Sequence, residues 1–423
     1  MYTTQGEYKE IEQNEPEIIL HENELKLQSK IKELIHFGKT IRAHGASHSN
    51  YFDNPIYPSK NIIEMEKYTI QPRLNGNILT ASAGHTLDYL RNFLKPYDLR
   101  LLATPESKFI TLGGAVVVGA HNGSLLQKTM VDYVTEFLLF DANTNVHRIR
   151  DNKLFVNFGT LGIVFRISIK CFPANNIYWE RILYPSIDDI VITPNTHSLV
   201  FGPYSKNVLR ANIYPTNLPP TKSIGRYVWE IIPALMSTKY ITKIFSNITR
   251  GLFYVFPSFG IFVSEFFLLE PSVIRDKFNY FNIAPQVNVY TQEYSVDAHL
   301  LKPVYLEIMK LIEVYYQIGT YVSYRFWVRF VAKSEVPNTL SYNRDSAVFE
   351  ITYSKDQPNA QMFAKDIDLI FRKYGGKPHL GKTLISPESL SNYQFEYLKK
   401  QMEKFDPNHI FQNDFMKKSL GKF

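Results

Sequence analysis

Leu112-Gly-Gly-Ala-Val-Val-Val-Gly-Ala-His-Asn-Gly-Ser124 places four glycines within eleven residues around an apolar run. Glycine weakens an ordinary helix or strand, so the pattern marks backbone passing close to something flat or bulky. Alone, the stretch reads equally well as a glycine-rich hairpin with a surface histidine or as a cofactor loop ending at His121. Upstream, Ile41-Arg-Ala-His-Gly-Ala-Ser-His-Ser-Asn50 reads as a strand running into a short loop. Its successive N–H groups and hydroxyls would suit a pyrophosphate, and an ordinary polar turn is the plain alternative. Downstream, Asn157-Phe-Gly-Thr-Leu-Gly-Ile-Val164 feeds two glycines into a strand, and Tyr374-Gly-Gly-Lys-Pro-His-Leu-Gly-Lys382 presents His379 and Lys382 on a rigid Gly/Pro frame. The chain contains no Rossmann fingerprint, P-loop, His-Glu-x-x-His or Gly-x-Ser-x-Gly motif.

Periodicity predicts helices over 22–37, 87–94, 304–316, 360–374 and 396–403, and strands over 40–44, 78–83, 99–103 and 165–172. Asp141-Ala-Asn-Thr-Asn145 between two alternating runs predicts a hairpin over 133–150. Scattered short strands and a proline-rich joint at 215–220 are expected in the central part. The mixture is α+β and carries no doubly wound strand–helix rhythm. At 423 residues the chain has room for two or three domains. The single cysteine, Cys171, excludes an internal disulfide and a multi-thiolate metal site, and reads as a small buried residue on a strand. The net charge of +7 comes from dispersed residues, so nothing else supports a nucleic-acid partner. No leader is visible at the N-terminus, which predicts an intracellular protein. Gly251–Glu270 is the most apolar region but contains Pro257 and Glu265. It reads as buried core or a membrane-facing surface element, not a crossing helix.

In order and spacing these segments resemble the FAD-linked aldonolactone and alditol oxidases of the vanillyl-alcohol-oxidase class. Arg42–Ser49 resembles the family's Arg-x-x-Gly-x-x-His-Ser loop, and Gly113–Ser124 its second flavin loop. Phe158–Val164 is similar to Gly-x-Leu-Gly-Ile/Val, Gly375–Lys382 to Gly-Gly-Arg-Pro-His-Trp-Gly-Lys, and Asp406–Asn413 to Asp-Pro-x-x-x-Phe-x-Asn. The resemblance spans about residues 17 to 416. It implies a two-lobed α+β FAD-binding domain over 15–175, an antiparallel-sheet-plus-helices cap over 177–385, and a segment, 386–423, returning to the first domain. It further implies FAD contacts from Ala43, His44, Gly45, Ala46, Ser47, His48 and Ser49, from Gly119, Ala120, His121, Gly123 and Ser124, and from Gly162, Ile163 and His379. His48 stands at the family's position for a covalent bond to the flavin. No metal is implied.

The same resemblance implies hydride transfer from a carbinol carbon to flavin N5, with a sugar lactone or polyol as donor and oxygen or another electron acceptor closing the cycle. Arg329 and Lys382 match the family's cations, which would stabilise the developing alkoxide. Residues two apart on a strand share a face, so the family's Glu-x-Arg pair reaches the substrate together. Here the Glu position is Trp327. Losing a general base typically costs ~10²- to 10⁴-fold in rate. Three readings follow: Trp327 stacks on a different substrate, Glu293 or Glu350 takes over the carboxylate's work, or turnover is lost and the chain binds FAD in a regulatory role. Ala115 and Leu380 also depart from the family, where a Ser and a Trp occur.

Overall fold

The computed structural model describes residues 18–46, 61–107, 109–221, 248, 271–277, 289–320, 322, 326–355 and 357–420. Ser47, His48, Ser49 and the apolar stretch 251–270 lie outside the described residues.

The N-terminal half is organised around a sheet in which every pair is antiparallel. Its strands are ordered β3-β4-β8-β6-β7, after a small parallel pair of β1 (Ile41–His44) and β2 (Asn61–Glu64). The members are β3 (Arg73–Asn75), β4 (Ile78–Ser82), β6 (Val134–Phe140), β7 (Val146–Ile149) and β8 (Ile163–Lys170), with β5 (Leu99–Arg100) paired separately to β9 (Phe172–Pro173). The hairpin β6–β7 forms where Asp141 turns the chain: its Oδ1 accepts the N–H groups of Asn143 and Asn145 at 2.8 Å each. Helix Glu22–His36 buries Leu27, Ile31 and Leu34, one stripe of its surface, and anchors to β8 through Glu24 and Arg166. Helix Leu87–Leu94 forms where expected.

Three expectations are corrected here. Leu112–Val117 is a short helix, not a hairpin: the Thr111 side chain accepts the Gly114 N–H, and Ala83 Cβ fills the space a Gly113 side chain would need. Cys171 is buried but falls between β8 and β9. The expected strand over 99–103 reduces to the two residues of β5.

Among the described residues, the second half is built on eight antiparallel strands in the order β13-β10-β12-β11-β15-β16-β14-β17. They are β10 (Asn176–Tyr184), β11 (Thr196–Phe201), β12 (Val208–Thr216), β13 (Val273–Arg275), β14 (Val289–Asp297), β15 (Phe326–Val331), β16 (Ser346–Ser354) and β17 (Lys377–Pro378). Several run nine residues, longer than the scattered short strands expected, and β12 continues through Pro215. Helices Leu301–Gln317 and Ala360–Lys373 cover one face, where Tyr294, Val328, Phe330, Phe349 and Ile351 meet Ile308, Phe363 and Phe371. Truncating one of these buried phenylalanines to Ala would cost about 3–5 kcal/mol. Strand alternation turns the intervening residues the other way, toward the N-terminal half.

The C-terminal residues pack on that half. Leu398, Met402, Phe405, Met416 and Leu420 join its core, and the Ile410 carbonyl accepts the Ile41 N–H at 2.8 Å.

Candidate active site

A long cleft runs between the two halves and encloses about 1730 Å³ of space between atoms, its open mouth included. One end is walled by small residues: Ala43, Gly45, Ala46, Ala83, Gly113, Gly114, Ala115, Gly159 and Gly162. Arg42 shapes this end. Its guanidinium donates to the carbonyls of Phe158 and Phe411 at 2.6 Å each and of Gly159 at 3.3 Å, tying three separated segments together. Gly162 sits at φ +151°, and a side chain there would run into the Phe140 carbonyl.

The other end is charged, and strand register explains why. Thr291 and Glu293 on β14, Trp327 and Arg329 on β15, and Glu350 and Thr352 on β16 all point into the cleft. Glu293 pairs with Glu350, and Glu350 with Trp327, so the three form one cross-strand row. Two carboxylates directly opposite each other repel. Cations resolve this: Lys382 Nζ lies 3.4 Å from Glu350 and 3.8 Å from Glu293, while Arg329 Nη1 is hydrogen-bonded to Glu350 and lies 3.8 Å from Glu293. Arg329 Nη2 lies 3.1 Å from Glu106, which arrives from the N-terminal half.

The turn after β17 brings Lys382 into place. The His379 N–H donates to the Glu293 carbonyl at 2.7 Å, and the Thr383 N–H to the Thr291 carbonyl at 3.0 Å, so 379–383 runs along β14. His379 Nδ1 accepts the Gly381 N–H at 2.8 Å, which puts the ring's proton on Nε2. Burial holds its pKa down at about 4, so the ring is neutral at ordinary pH. His121 packs beside it at 5.5 Å between ring centroids. His121 Nδ1 donates to the Asn122 carbonyl at 2.8 Å, and its Nε2 faces Glu293 at 3.2 Å.

Burial would raise the Glu293 pKa, but Lys382 and then His121 outweigh it and hold the group well below the usual carboxylate value. Glu350 is held low against burial in the same way, by Lys382 and then Arg329. Burial opposes the charge on Arg329, and Glu106, Glu350 and Glu293 more than restore it. His121, Glu293 and His379 bring one ligand atom each within 4.8 Å of one another. A metal ion there would face Arg329 and Lys382, already paired to the same carboxylate.

Of the residues singled out in the sequence, Ala43, His44, Gly45, Ala46, Ala120, His121, Gly162 and His379 line the cleft together with Glu293, Trp327, Arg329 and Lys382. Four others do not reach its wall. Gly119 turns the chain at φ +66°, Gly123 packs on His197, Ile163 is core, and the Ser124 N–H donates to the Phe330 carbonyl. Gly123 answers to protein packing and Gly119 to its turn. Arg329 and Lys382, which sequence alone would leave as solvated cations, are largely buried. Glu106 carried no signal in the sequence, and Glu350 was legible only as a substitute for the displaced carboxylate.

Residues 178–419 match the family described as D-arabinono-1,4-lactone oxidase, more than half of the chain. The chain belongs to that family. Residues 17–150 match the FAD binding domain family. The chain is 22% identical to L-gulonolactone oxidase of Mus musculus over 373 residues, covering 80% of each, and 22% identical to that of Bos taurus over 370 residues, again 80% of each. Among solved structures it is similar to cholesterol oxidase from B. sterolicum, with a TM-score of 0.73 at 15% identity over 94% of this chain and 92% of that one. Physcomitrella patens BBE-like 1 gives 0.63 at 13% identity, over 92% and 89%. These likenesses carry the fold, that of two-lobed flavin oxidases with a cap.

Membership makes the chain an FAD-dependent oxidase, and the cleft fits that cofactor. Its small-residue walls admit a long, flat molecule, and the buried Ser107 hydroxyl on the wall has no hydrogen-bond partner among the described residues. Among the described residues no helix is long and apolar enough to cross a membrane.

Proposed function

We propose that this protein oxidises a sugar-derived alcohol, an aldonolactone or a polyol, with Glu350 as proton acceptor and Arg329 and Lys382 as the groups that stabilise the alkoxide. Bound FAD supplies the hydride acceptor. The observation that carries the reading is the row Glu293–Glu350–Trp327 with both cations laid across it. Trp327 removes the family's carboxylate from β15, and Glu350 restores one directly across the strand pair. That placement favours a working enzyme over a flavoprotein without turnover. A hydroxyl set against both Glu350 and Lys382 from the cleft gives up its proton to the first while its oxygen stays near the second, and preorganised charges of this kind need no reorganisation as the reaction proceeds. Trp327 offers an apolar surface to the carbon face of a sugar.

The names of the relatives support the substrate class, and molecular oxygen is the acceptor that the word oxidase implies. We also propose that His48 bonds covalently to FAD, on the strength of its place in the first loop. The test is anaerobic mixing of the yellow protein with a panel of lactones and polyols. One or more should bleach the flavin, and Arg329→Ala and Lys382→Met should each slow that step by ~10²-fold or more with FAD content unchanged. A panel that leaves the flavin oxidised, or variants that reduce at the normal rate, would overturn the reading.

A further inference from the structure

Arg329 is held from both sides of the cleft. Glu350, from β16, takes Nη1, and Glu106, from the loop 104–107 of the N-terminal half, lies 3.1 Å from Nη2. The Arg329 and Glu106 side chains are only 10% and 16% exposed. A guanidinium in a dry cleft is ordinarily a receptor for a ligand's carboxylate or phosphate, to which it offers two parallel N–H bonds. Here both terminal nitrogens already face protein carboxylates, and Lys382 sits between Glu293 and Glu350. Glu106, Glu293 and Glu350 therefore oppose two permanent cations, and His379 is uncharged. By formal charge, with three carboxylates against two cations, the cluster is singly negative. It has no positive charge to spare for a ligand.

We infer that Glu106 is a specificity-determining residue: by occupying the outer face of Arg329 it makes the site select uncharged polyhydroxy compounds and reject sugar acids and sugar phosphates. Its remaining lone pairs are left to accept hydroxyl protons. The inference rests on the reading of a sugar-derived alcohol as substrate and goes beyond it, because nothing in the reaction itself forbids an anionic donor. Glu106 lies beside the reacting end from the side opposite Glu350, so its effect is on which ligand enters.

An aldonolactone, the aldonate formed by its hydrolysis and the alditol of the same carbon number separate charge from ring closure. Each is titrated anaerobically into FAD-loaded wild type, Glu106→Gln and Glu106→Ser. The dissociation constant is read from perturbation of the flavin spectrum or, where reduction follows, from the concentration dependence of the reduction rate. Wild type should bind the two neutral compounds and discriminate against the aldonate. Either substitution should move the aldonate-to-alditol affinity ratio toward the aldonate by about tenfold or more, the usual effect of one charge at this range in a buried site. Wild type that binds aldonate as well as alditol overturns the inference even if both variants fail to fold. An unchanged ratio in folded, FAD-containing variants also overturns it, while leaving the sugar-alcohol reading intact if the neutral compounds still bleach the flavin. If no neutral sugar binds wild type yet the variants acquire aldonate binding, the charge filter stands and the substrate reading falls.

Discussion

Glu350→Gln keeps the side chain's size and its place opposite Trp327 while removing the charge that two cations share. In the wild type Glu350 is hydrogen-bonded to Arg329 and lies 3.4 Å from Lys382. Burial works against its ionisation, but Lys382 and then Arg329 prevail and keep its pKa below the ordinary 4.5. It is therefore an available base at any pH above the carboxylate range. The amide cannot take the hydroxyl proton, so flavin reduction should slow by about 10²- to 10⁴-fold, or about 3–5 kcal/mol at 1.36 kcal/mol per decade. The cost to the fold is smaller, on the order of 1–3 kcal/mol for an altered buried hydrogen bond, because Arg329 keeps Glu106 and Glu293. Rapid anaerobic mixing measures the first quantity, and denaturant unfolding with FAD content measures the second. A variant that retains its flavin and reduces it at the wild-type rate refutes the assignment. Slowing of the same size in Glu293→Gln alone would then move the proton to the His121–Glu293 pair.

Trp327→Glu, which restores the family's residue, should lower activity instead of raising it, since the new carboxylate directly opposes Glu350 across β15 and β16; a faster flavin reduction would show that the two strands share the role. His379 titrates near 4 in the fold against an ordinary 6.5, so the unfolded chain takes up a proton first and stability falls as pH drops from 6.5 toward 4. The contribution is about 3 kcal/mol at most, and unfolding wild type beside His379→Gln across that window should show a difference that narrows at low pH; a pH-independent difference contradicts a neutral buried ring. Acid precipitation should leave the yellow colour in the protein pellet and His48→Ala should release it, and wild type that gives up all its FAD in acid has no covalent link.

The helices over Glu22–His36 and Leu87–Leu94 and the hairpin at Asp141 were legible because apolar spacing and turn chemistry agree there. The long strands of the second half were not, since polar residues occupy both faces. Glu293 points to the cleft, while its neighbour Gln292 is buried on the helix side, bonded to Tyr353 and to the Ala364 carbonyl. That hides the two-residue period. The 112–124 stretch was legible in part: Gly113, Gly114, Ala115, Ala120 and His121 line the cleft, while Gly113 and Gly123 also pack closely on Ala83 and His197. Glu106 was invisible because its meaning lies in a partner on a distant strand. The cations Arg329 and Lys382 were found through motif resemblance, and no periodic signal would have separated them from surface charge.

Arg42 gives the order of synthesis a physical meaning. It stands near the start of the chain, but one of its carbonyl partners, on Phe411, lies 369 residues later. That carbonyl is held in position by Asp406, whose carboxylate accepts the N–H groups of Ile410 and Phe411. The small-residue end of the cleft therefore stays unfinished on the ribosome while the entire cap is being made.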